Sequence, residues 1–172
     1  MSGIWPALGC FVRCAVSLGA NPHVGKFYPA SEREFRRTLE LSPRYATAHQ
    51  WYAEYLAVVG RIDESLAEIR LAQELEPLSL IINTQAGWIL TLDRRYDEAI
   101  EQLRKTVDLD PSFQMAHADL GLAYGERGRS AEAVAEFQKA VKLRDSADNR
   151  LWLAWAYAGP AKGNERGRSC RM

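Results

Sequence analysis

Cysteine is scarce in this sequence: Cys10, Cys14 and Cys170 are the only three. So small and odd a set builds no disulfide framework. It fits a reducing compartment. Cys10 and Cys14 stand four apart, yet two thiols fall short of a tetrahedral metal site. They read as small buried hydrophobes. Net charge is missing too. Lys and Arg number 22, and so do Asp and Glu. The basic surplus sits at the ends, with Arg13 and Lys26 in one and Lys162, Arg166, Arg168 and Arg171 in the other. The body between them is acidic, which argues against a nucleic-acid groove. The apolar run Ile4–Ala20 contains Pro6 and Arg13 and is too short to span a bilayer. It lacks a basic lead and a clean cleavage site, so no signal peptide is expected. There is no P-loop, no H-E-x-x-H and no G-x-S-x-G. The expectation is a cytoplasmic, non-catalytic protein with no cofactor, no metal and no membrane contact.

What the sequence has instead is a period. Pro43, Pro77 and Pro111 are spaced by 34 residues. A fixed period of this size marks one supersecondary unit stacked on copies of itself. Each unit holds two amphipathic segments at helical spacing. The predicted helices are Ala30–Leu41, Ala46–Val59, Ile62–Leu75, Leu80–Leu92, Tyr96–Leu109, Gln114–Arg127, Ser130–Leu143 and Ala147–Ala158. Gly60, the run Asp93-Arg94-Arg95 and Gly128 form the joints inside units. The prolines stop the second helices, because the residue before proline leaves the αR region. Residues 1–28 read as an irregular segment with a degenerate helix near Trp5. Residues 29–158 form the array, about three full repeats plus flanking half-repeats. Residues 159–172 are basic and expected to be disordered.

The repeat resembles the tetratricopeptide repeat, whose pattern is W-x-x-L-G-x-x-Y followed by Ala, Phe and Pro. His117-x-x-Leu120-Gly121-x-x-Tyr124 matches it, followed by Ala133, Phe137 and Ala140. The unit before has Ala86-Gly87-x-x-Leu90, then Ala99, Leu103, Thr106 and Pro111. The one before that has Tyr52-Ala53-x-x-Leu56, then Ser65, Ile69, Ala72 and Pro77. The last helix carries Leu153-Ala154-x-x-Tyr157. The pattern departs at Asp145, where a proline is expected. The resemblance implies an all-α fold, a right-handed superhelical array of antiparallel helix pairs. The runs 45–52 and 77–84 are similar to tetratricopeptide tails of large bacterial regulatory proteins.

In the resembled family the first helix of each unit lines a concave binding face. That implies a peptide-binding face made by Gln50, Glu54, Ile81, Thr84, Trp88, Met115, Leu122 and Trp155. None of these is Lys, Arg or Asn, so the mode that grips a C-terminal carboxylate is not expected. An amphipathic helix in the groove suits such a face. For Trp88 and Trp155 the competing reading is contact with neighbouring helices. His49 and His117 lie two periods apart, which favours packing over catalysis. The function implied is a protein–protein interaction module. The alternative is an RNA-binding helical repeat, against which the acidic body counts. In the last helix Leu153, Ala154 and Tyr157 are expected to face inward. Trp152 and Trp155 would then be exposed, predicting a homodimer through this helix or a longer array.

Overall fold

A computed structural model describes residues 29–158, with side chains from residue 32 on. The readings made for residues 1–28 and 159–172 lie outside it, as do all three cysteines. The described residues form eight helices and no strand. They are α1 (Pro29–Leu41), α2 (Ala46–Val58), α3 (Ile62–Leu75), α4 (Leu80–Leu92), α5 (Tyr96–Leu109), α6 (Gln114–Glu126), α7 (Ser130–Leu143) and α8 (Ala147–Ala158). The predicted bounds recur almost everywhere. Val59 and Arg127 fall just past their helices, as C-caps.

The three pairs α2–α3, α4–α5 and α6–α7 are the units, and each second helix packs on the first helix of the next pair. First helices also touch one another: α2 meets α4, α4 meets α6, and α6 meets α8. No comparable contact joins α3, α5 and α7. The first helices therefore crowd along one side and the second helices splay along the other. The array curves with α2, α4 and α6 on its inner side.

Small residues make each crossing close. A Cβ on Gly87 would stand 2.4 Å from Leu103 Cγ, and one on Gly121 3.1 Å from the Phe137 ring. Ala53 takes the same place in the first unit and is fully buried, as are Ala99 and Ala133 on the second helices. Opposite them Leu103 and Phe137 are fully covered and Ile69 almost so. No unit covers its own apolar side completely, so stability resides largely in the contacts between neighbours.

The joint inside each unit needs one left-handed residue. Gly60 and Gly128 supply it, at φ 84° and 86°. In the middle unit Arg94 holds that place at φ 62°. A side chain there costs about 1–2 kcal/mol, part of which glycine forfeits through its freer unfolded chain. Arg94→Gly is therefore expected to stabilise the protein by about 0.5–1 kcal/mol, read as a higher urea midpoint at unchanged slope.

The last helix corrects the predicted register. Tyr157 is 63% exposed and Ala154 is exposed as well; the buried residues of α8 are Asn149 and Ala156. Trp152 stacks on Phe137 with ring centroids 6.2 Å apart, and Trp155 meets Phe137 edge-on at 6.4 Å. The two indoles meet each other at 5.9 Å. The cause is the joint. Residues 144–146 connect α7 to α8, one fewer than the 110–113 connection before α6. With Asp145 in place of proline, the helix turns until Asn149 donates to the Arg144 carbonyl at 2.7 Å. The exposed tryptophan pair that motivated a homodimer is absent, because those rings close the core of the third unit.

Candidate functional site

Each first helix is held at its start by one polar residue. His49, Asn83 and His117 repeat with the period and are buried. His49 Nε2 lies 3.0 Å from the Pro43 carbonyl, Asn83 Nδ2 donates to the Pro77 carbonyl at 2.8 Å, and His117 Nε2 lies 2.9 Å from the Pro111 carbonyl. The other end of each side chain meets the second helix. His49 Nδ1 is 2.6 Å from Glu68, His117 Nδ1 is 2.7 Å from Glu136, and Gln102 donates to Asn83 Oδ1 at 3.1 Å. Both partners of each histidine are acceptors, so both contacts form together only when each ring nitrogen carries hydrogen. Tied at both ends, these rings serve packing and hold nothing out to a substrate.

The inner side is built by α2, α4 and α6. None of them contains Lys or Arg; their only charged residues are Glu54, Asp119 and Glu126. The cations lie elsewhere, many in pairs. Arg61, Arg95 and Arg129 precede α3, α5 and α7, and each binds a glutamate three residues on: Glu64, Glu98 and Glu132. This column was legible in the period but absent from the sequence reading. A shallow outer depression of about 420 Å³ is lined by Asp97, Ile100, Arg104, Asp108 and Arg129. Its charges are mixed and Arg129 is committed to Glu132 and the Tyr124 ring.

The predicted face is shallower than its eight members imply. Ile81 and Met115 stand open, at 50% and 36% exposure. Thr84 is buried, and Trp88 is 8% exposed in the core formed with Ala53, Ile82 and Ile89, with Leu122 packed against it. Gln50 is buried and donates to Gln85 at 2.8 Å; Gln85 donates to Glu54 at 3.2 Å. Trp155 is drawn onto Phe137 and against Gly125. The sequence reading missed Gln85 and Asp119. They are 34 apart, at the place where one first helix meets the one before it.

Burial raises the Glu54 carboxyl above its ordinary range, against the bond from Gln85, which lowers it. Asp119 is pushed from 3.8 up to about 7 by burial alone. The carboxyl is partly exposed yet walled in by protein, as at the floor of a groove. Between those two values the folded chain holds more protons than the unfolded one. Stability therefore falls as pH rises from about 4 to about 7 and levels above that. Asp119→Asn is expected to stabilise the protein by on the order of 2 kcal/mol at pH 8 and by much less at pH 5. Thermal unfolding of both proteins at the two pH values checks this.

Among the described residues no group of three His, Cys, Asp or Glu is arranged to hold a metal. No described helix is long and apolar enough to cross a membrane.

Residues 93–150 match the family model described as tetratricopeptide repeat. Solved structures agree over a longer span. A thermophilic tetratricopeptide protein of Thermus thermophilus superposes with a TM-score of 0.70 at 21% identity, covering 88% of this chain and 80% of that one. The fold is a tetratricopeptide-repeat array. MamA matches this tetratricopeptide array with a TM-score of 0.62 at 16% identity, covering 74% of this chain and 75% of that one. The first tetratricopeptide domain of Spaghetti (RPAP3), bound to the HSP90 peptide SRMEEVD, gives 0.60 at 15% identity, covering 66% and 90%. No curated protein matches the chain.

Proposed function

We propose that this tetratricopeptide array is a non-catalytic protein-interaction module that takes a peptide or helix on its inner side. The observation that carries the reading is the inner wall itself. Three helices in a row present Ile81 and Met115 open, carry carboxylates and bring no cation. Repeat arrays use such concave sides as extended binding surfaces. The domain of Spaghetti (RPAP3), similar in fold, is one solved with a peptide bound. An amphipathic helix fits the wall by placing its apolar stripe against Ile81 and Met115. A cation-free wall also counts against RNA, whose phosphates require Lys or Arg. The wording of residues 45–52 and 77–84 supports a cytoplasmic bacterial regulatory protein as the setting.

Capture of peptides from a fragment library, followed by calorimetry, tests the reading. Binding is expected with negative ΔCp, and Ile81→Glu with Met115→Glu is expected to abolish it while helicity is retained. Peptides that bind the double variant as tightly as the parent refute the inner side as the site.

A further inference from the structure

The first helices meet in a repeating polar pair, and one copy of that pair is incomplete. Between α2 and α4, Gln50 donates to Gln85 at 2.8 Å. One period on, the same two places are held by Thr84 on α4 and Asp119 on α6 (84 − 50 = 34 and 119 − 85 = 34). Here nothing is joined. Thr84 Oγ1 is buried without a hydrogen-bond partner, and Thr84 is only 1% exposed. Asp119 makes no hydrogen bond or ion pair with a described residue. A buried hydroxyl with no partner and a poorly solvated carboxylate each cost folding free energy. A single ligand group removes both costs if it donates several hydrogen bonds and carries positive charge. An ammonium or a guanidinium does so, and a carboxylate does not.

Resting on the interaction-module reading above, we propose that the seam between α4 and α6 is a socket for a lysine or arginine side chain of the bound partner. The ammonium or guanidinium donates to the Asp119 carboxylate and to the Thr84 hydroxyl oxygen. Ile81 and Met115 flank the seam on the same two helices and receive the partner's apolar residues. The partner is thus a basic amphipathic segment, the charge opposite to an acidic C-terminal peptide. Charge complementarity extends past the socket, since α2, α4 and α6 bring Glu54, Asp119 and Glu126 and no cation.

Three synthetic helical peptides of equal length test this, built from leucine with lysine, with glutamate or with glutamine. The leucine–lysine peptide is expected to bind at least tenfold more tightly than the glutamine one, and the glutamate peptide more weakly than either. Asp119→Asn is expected to remove the lysine preference. Asp63→Asn, at an exposed acid on outer helix α3, is expected to leave it intact. If the glutamine peptide binds, loses binding in the Ile81→Glu, Met115→Glu variant, and shows no weaker affinity than the lysine peptide, the socket is refuted and the interaction module stands. If the lysine preference survives Asp119→Asn, or disappears equally in Asp63→Asn, the charge effect is diffuse and the socket is refuted. If no peptide binds, both readings fall.

Discussion

Phe137→Ala is expected to destabilise the array by about 3–5 kcal/mol, the range for a buried aromatic cut back to a methyl. The ring is fully covered. It has one neighbour on its own unit and two on the next helix. Toward its own unit it fills the space that Gly121 leaves. Toward α8 it stacks on Trp152 and meets the edge of Trp155. Those indoles are the main apolar anchor of α8, so the loss falls chiefly on the end of the array. Chemical denaturation is expected to show a first transition in which the tryptophan near-UV signal is lost and most helicity remains. Hydrogen exchange is expected to speed up in α8 before α4. A loss below about 1 kcal/mol, with exchange in α8 unchanged, contradicts this packing.

Trp88→Ala is expected to cost a similar amount, about 3–5 kcal/mol, and to leave the affinity of the folded protein for an inner-side peptide within twofold. The sequence placed Trp88 on the binding face, where truncation weakens binding at a hot spot. At 8% exposure most of its area lies inside the core of α2, α3 and α4. Urea unfolding and calorimetry on the same preparation separate the outcomes. A tenfold loss of affinity at unchanged stability returns Trp88 to the surface.

The difference between those two expectations shows where sequence reasoning was strong. Helix ends followed from Pro77, Pro111 and Gly60, each a local backbone constraint that no neighbour overrides. The crossing columns followed from Gly87 and Gly121, because a small residue at a fixed period has few other meanings. The depth of Thr84 and Trp88 did not follow. A periodicity shows which side of α4 is inner, but α2 and α6 flank that side and narrow what stays open. The turn of α8 was hidden for another reason. A joint shortened to residues 144–146 rotates every side chain after it, and Leu153-Ala154 imitates the expected Leu-Gly in the wrong register. Arg94 escaped notice because nothing in its chemistry announces a left-handed backbone. Its place, one period from Gly60 and Gly128, was the available signal.

The tie from His49, Asn83 and His117 to a carbonyl six residues back has a bearing on how such a gene changes length. Each tie crosses the boundary between units, from Pro43, Pro77 or Pro111 into the helix that follows. An in-frame duplication or deletion of one whole period leaves every donor facing an equivalent carbonyl. An insertion of a few residues between proline and helix strands a buried donor and acceptor together, each an expensive loss. Lengthening by recombination is therefore quantised in steps of 34 residues. Where the spacing did shift, before α8, Asn149 found the Arg144 carbonyl five residues back instead of six, and the helix rotated to keep it.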